Sequence, residues 1–232
     1  MYEDFKSRLI SFSDDEYREF TMKGVPCDRP FLGVRIPKIR ELVYQVSPDD
    51  FEEFLKAVPV SFEEVIARGF LISRLPYIEM LKVFDSQVLL LDNWCAVDTF
   101  CASLRKAVKG NEEDFLERKV EKLLASKDEF AVRAGLVFLL DFYVRFEYLF
   151  LIFDRIESLA SRDEYYIKMA TAWLIAECFI KFPEEALVFM RKAELSEFVL
   201  RKAISKICDS RRVDLSLKEE VKKLRKVGRK NG

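Results

Sequence analysis

The chain has 232 residues, a formal net charge of −1, 50% apolar and 34% charged residues, and only seven glycines and seven prolines. That is a globular composition, long enough to bury roughly 70% of its unfolded surface without a metal or disulfide staple, and without the global basic field that would by itself announce a nucleic-acid binder. With no histidine, Ser-His-Asp and Cys-His triads, His-ligated zinc and imidazole bases are excluded.

In chain order, the acidic start MYEDF is not a signal peptide, and no apolar run is as long as a membrane span. A cytoplasmic protein with no membrane partner is the expectation. Ser13-x-x-Glu16 opens a series of capping-box patterns that continues with Ser61-x-x-Glu64, Ser126-x-x-Glu129 and Ser161-x-x-Glu164. Ser47-Pro48 places proline where a first helical turn tolerates it. Apolar residues follow at three- and four-residue spacing: Phe51, Phe54, Leu55 and Val58, then Val65, Ile66 and Phe70, then Phe115, Leu116, Val120, Leu123 and Leu124. No segment alternates as a strand does. About a dozen short helices are expected in an all-α chain, arriving roughly in pairs. Antiparallel pairs of this kind stack into an α-solenoid with a concave binding face, although an irregular bundle fits the same pattern.

In DNWCAVDTF (92–100), Trp94 and Asp98 stand one helical turn apart on one face. FAVRAGLVFLL (130–140) holds one charge, Arg133, and YYIKMATAWLIAECFI (165–180) holds Lys168 and Glu177 around Trp173. A cation in such surroundings needs an anion. An internal partner such as Asp98 or a glutamate and an external phosphate are both open. A lone helical tryptophan is more often core than cleft, but here both tryptophans share a helix with an oddly placed charge. LRKAISKICDSRR (200–212) sets Lys202 and Lys206 on one face with Ile204 and Ile207 turned elsewhere. It reads as a solvated face or as a ridge that tracks phosphates. Five cysteines without a C-x-x-C pair read as reduced, mostly buried thiols. The basic tail KKLRKVGRK (222–230) lies within a stretch, 220–232, expected to fray at the end of a single 1–232 domain.

Six blocks in order resemble one known family. FLGVRIPKIREL (31–42), FEEVIARGFLI (62–72), NWCAVD (93–98), VRAGLVFLL (132–140), DEYYIKMATAWLIAE (163–177) and KAISKICDSRRV (202–213) are similar to the DNA alkylation repair family, the HEAT-like-repeat alkylpurine DNA glycosylases often called AlkD-like. The resemblance implies an α-solenoid of HEAT-like helix pairs whose concave face holds double-stranded DNA. Its substrates would be N3- and N7-alkylated purines, excised by a monofunctional, monomeric glycosylase with no cofactor and no metal, nucleoid-associated when bound. Trp94 and Trp173 would lie against the lesion sugar, Asp98 near its anomeric carbon, and Arg133 on a flanking phosphate. Lys168, Lys202 and Lys206 are the further DNA-binding candidates. The chain departs from the pattern in two places. The loop KGVPCDRPF has no tyrosine, and in WLIAE Ile175 and Ala176 supply no cation beside Trp173. Branches of this superfamily that bind DNA without excision, and helical-repeat scaffolds for proteins, are the alternatives.

Overall fold

The structure, a computed structural model, describes residues 1–227, with side chains as far as Leu224. It is all-α, with no strand among the described residues. The chain divides into two compact units, Met1–Leu116 and the part from Glu117 onward.

The first unit holds α1 (Tyr2–Ser11), α2 (Asp15–Gly24), α3 (Ile36–Tyr44), a 3-10 turn (Pro48–Asp50), α4 (Phe51–Lys56), α5 (Phe62–Ile72), α6 (Tyr77–Val88), α7 (Trp94–Ser103), α8 (Arg105–Val108) and α9 (Glu112–Phe115). A π-helical turn, Leu116–Val120, leads into α10 (Glu121–Leu124). The second unit continues with α11 (Glu129–Phe138), which runs into another π turn (Leu139–Tyr143), then α12 (Leu149–Ser158), α13 (Tyr165–Lys181), α14 (Pro183–Lys192), α15 (Glu197–Asp209) and α16 (Leu215–Val227). More helices are present than the expected dozen, partly because the π turn Leu116–Val120 divides one continuous helical stretch into α9 and α10. Of the stretch 220–232, the residues to Val227 complete α16, with Val221 and Leu224 buried, and 228–232 lie outside the described residues.

Alternate helices pack side by side in both units. In the first, α5 lies between α3 and α7, with α6 also against it. In the second, α13 lies between α11 and α15, with α14 also against it. Both central helices are mostly apolar, and on α5 every residue is buried. Gly69 permits the close approach of α5 to α7, since a Cβ there would stand 3.2 Å from the Phe100 ring.

The capping boxes divide. Ser61 accepts the Glu64 amide, and the Glu64 carboxylate accepts the Ser61 and Val60 amides at 2.7 and 3.0 Å. At the other three places an acidic residue displaces the expected serine as N-cap: Asp14 before α2, Asp128 before α11 and Glu164 before α13. Asp14 and Asp128 accept helix amides directly, as a charged acceptor at the positive end of a helix does well. Ser126 instead accepts the Asp128 amide. In the 51–58 stripe, Phe54 is buried but Val58 is exposed, because α4 ends at Lys56 before the next turn can carry Val58 inward.

Two adjacent glutamates on α5 are buried and do different work. Glu63 accepts three successive backbone amides, from Leu32, Gly33 and Val34, at 2.9, 2.8 and 3.1 Å. The loop can present them because Gly33 has φ +83°. A Cβ there would also stand 2.3 Å from the Asp14 carbonyl oxygen. Glu64, besides its cap, accepts the Tyr2 hydroxyl at 2.9 Å and has Lys6 at 3.7 Å. Burial alone would raise its pKa. The hydrogen bonds from Ser61, Tyr2 and Val60 outweigh burial and hold it below the ordinary glutamate value.

Glu63→Ala strands three buried donors at about 1–3 kcal/mol each, so a loss of at least about 3 kcal/mol is expected in chemical denaturation. Glu64 contributes stability above its unfolded pKa, about 4.3, and that contribution is lost as pH falls through its lower folded value. Melting temperature measured against pH should therefore fall less steeply on the acid side in Glu64→Gln than in the parent chain. Identical acid limbs would show that Glu64 is not the group responsible.

Candidate nucleic-acid interface

The start of α7 is fixed by a short polar relay. Asn93, itself buried, caps the helix by accepting the Ala96 amide at 2.9 Å and donates to Asp92 at 2.8 Å. Asp92 pairs with Arg29, whose guanidinium also reaches the Leu90 carbonyl at 3.1 Å. Ala96, Val97, Phe100 and Cys101 turn inward, and α7 packs against α5. Trp94 and Asp98 are left together on the other side, both only partly buried. Trp94 is therefore not core. Its indole N–H donates to the Gly24 carbonyl, the last residue of α2, at 3.0 Å, which sets the orientation of the ring.

Cys95, between them, reports on its surroundings. Burial pushes its thiol up to about 11, with a hydrogen bond to Thr99 opposing and the negative charge of Asp98 adding to the rise. Cys178 is pushed up to about 12, again mainly by burial. All five cysteines are free, and these two are poor nucleophiles at neutral pH.

The remaining candidates lie in the second unit on three successively packed helices, α11, α13 and α15. Each cation rests against an aromatic ring. Arg133, buried, has its guanidinium 5.9 Å from the Tyr166 ring centre and donates to the Tyr166 carbonyl at 3.2 Å. The Lys168 and Lys202 ammoniums lie 5.1 and 5.7 Å from the centre of the same ring, Phe198. The Lys206 ammonium lies 5.7 Å from the Trp173 ring. Trp173, like Trp94, is only partly buried. Ile204 and Ile207 are fully buried, which turns Lys202 and Lys206 outward as their spacing suggests.

The rings are themselves in contact. Tyr166 meets Phe130 at 5.2 Å and Tyr165 at 5.1 Å, and Tyr165 meets Phe198 at 5.9 Å. An aromatic row thus runs from beside Arg133 to beneath Lys202. Ile175 and Ala176 are buried, so the turn after Trp173 does supply no cation. Lys206 supplies one from α15 instead. One turn beyond Trp173 on α13, Glu177 pairs with Arg212 at 2.7 Å.

Several of these residues escaped sequence reading. Asn93 precedes the WCAVD helix as an ordinary N-cap signal. Phe198 stands four residues before Lys202, one helical turn, a spacing that brings a ring beneath a cation. Phe20 on α2, 72% exposed, carries no polar signal at all.

A family model described as DNA alkylation repair enzyme matches residues 5–207. The match takes in both units nearly to the end of α15, and the chain belongs to that family. Comparison with the curated proteins gave no match.

Asn93→Ala should cost about 1–2 kcal/mol of stability through loss of the cap. In a Trp173→Phe background, where Trp94 is the one remaining tryptophan, the same change should red-shift the emission as the start of α7 loosens. An unmoved spectrum would mean that the Gly24 carbonyl alone holds the indole.

Proposed function

We propose that this member of the DNA alkylation repair enzyme family is a monofunctional glycosylase that releases cationic N3- and N7-alkylated purines from duplex DNA. The observation that carries the reading is the aromatic row of the second unit. The four cations singled out for DNA, Arg133, Lys168, Lys202 and Lys206, all rest on rings along packed helices. A ring face holds a cation in place by its quadrupole without cancelling its charge, which suits contact with phosphate. The proposal includes an α-solenoid of helix pairs as the frame and a monomer in the cytoplasm as the working form.

The chemistry asks little of the protein. An N7- or N3-alkylated purine already carries positive charge and leaves without being protonated, so a chain without histidine is at no disadvantage. What rises in the transition state is positive charge on the sugar. In the proposal Asp98 stabilises that charge and orients the attacking water, while the faces of Trp94 and Trp173 add cation–π attraction. The hydrogen bond from Trp94 to Gly24 suits this role, because an electrostatic catalyst works by being held in place before the reaction.

A second reading is a family member that binds DNA with little or no excision. It is favoured by the loop before Phe31, where no aromatic residue replaces the missing tyrosine.

Incubation with duplex DNA carrying 7-methylguanine or 3-methyladenine should release free base. In Asp98→Asn the rate should fall about 10²-fold or more, with DNA affinity unchanged or slightly raised and melting temperature little altered. A large loss of melting temperature, with unchanged specific activity in the folded remainder, would remove Asp98 from the chemistry. No base release by the parent chain, with DNA binding intact, would favour the second reading.

A further inference from the structure

We propose that Phe198 is a positioning residue that seats Lys168 and Lys202 as a two-cation clamp on the phosphodiester backbone, a contact point beyond Arg133. This rests on the DNA-binding part of the reading above. Lys168 comes from the first turn of α13, and Phe198 and Lys202 come from the first turns of α15. Both ammoniums lie against one ring, so a single side chain locates two cations from two helices.

The two lysines differ in what else holds them. Lys168, 17% exposed, pairs at 2.6 Å with Asp163, whose carboxylate is 97% exposed and screened by solvent. Lys202 has no carboxylate partner among the described residues. Glu197, Phe198, Arg201, Lys202 and Ser205 line an open cleft of about 570 Å³, so Lys202 and the ring that seats it face free space. Arg201 also lines this cleft, with Glu197 at 3.6 Å in a well-exposed pair that leaves its charge available beside that of Lys202. A phosphate oxygen supplies the missing anion. The aromatic ring beneath gives the flexible lysine stems a fixed seat, reducing the rotamer freedom lost on binding.

The test is the salt dependence of binding to undamaged duplex, measured for the parent chain, Phe198→Leu, Phe198→Tyr, Lys202→Ala and the Phe198→Leu/Lys202→Ala pair. Each phosphate contact contributes about 0.9 to the slope of log K against log salt. Lys202→Ala should lower the slope by about one contact. Phe198→Leu, which keeps an apolar side chain and should keep the melting temperature, is expected to lower it by one to two. Phe198→Tyr keeps the ring and should restore the parent slope, and the double variant should lose less than the sum of its parts. A Phe198→Leu protein with the parent slope overturns the clamp, whether its affinity is unchanged or is weaker by the same factor at every salt concentration. Binding by the parent chain that does not respond to salt would overturn the underlying DNA reading as well, which separates the two failures.

Discussion

The first unit depends on one buried carboxylate. Glu63 gathers three consecutive amides of the loop at 32–34, and much that matters hangs from that loop. The Gly33 carbonyl accepts the Asp14 amide at 3.2 Å, tying down the start of α2. The end of α2 offers the Gly24 carbonyl to Trp94. A few residues before Glu63's amides, Arg29 grips Asp92 beside the cap of α7. The indole of Trp94 and the cap that starts α7 are therefore both referred back to a single side chain on α5. A carboxylate that deep is costly unless its oxygens are satisfied, and here backbone donors satisfy them without a buried cation.

Both units take up acids with backbone N–H groups and seat cations on rings. Glu63, Glu64 and Asp14 in the first and Asp128 and Glu129 in the second accept amides. Arg35 and Arg40 lie over Tyr17 and Phe70 in the first, and the candidate cations lie over rings in the second. A net charge of −1 then hides a local excess of available positive charge, because acids engaged with amides are not opposite the lysines. Net charge argued against a nucleic-acid partner at the sequence level for this reason. It counts groups without regard to what already holds them.

What was legible followed from spacing. The all-helical class, the outward turn of Lys202 and Lys206, and the Ser61–Glu64 box could be read because each rests on a local period or a three-residue motif. What was not legible depended on competition or on long-range partners. Ser13 and Ser126 lost their caps to Asp14 and Asp128, which are equally good or better acceptors, and at α13 the N-cap Glu164 makes no side-chain cap bond. Glu63, in FEEV, looks like a solvated residue, and only the folded loop reveals its amides. For the tryptophans spacing alone left core and cleft open, and both prove to be only partly buried. The cation near Trp173 was sought in the next turn of its own helix, whereas it comes from α15.

Lys202 carries a consequence of being seated on a ring. A lysine paired with a carboxylate, as Arg212 is with Glu177, must give up that partner before it meets another anion, and the exchange returns little free energy. A lysine held by a π face has no such debt. It reaches a phosphate with its charge intact, and what it displaces are the mobile cations condensed on the polyanion, which gain entropy on release into solution. For such a residue the driving force lies in the buffer as much as in the protein, so if Lys202 meets phosphate as proposed, the ionic composition of the cell would act as a direct control on how long the protein stays on undamaged DNA.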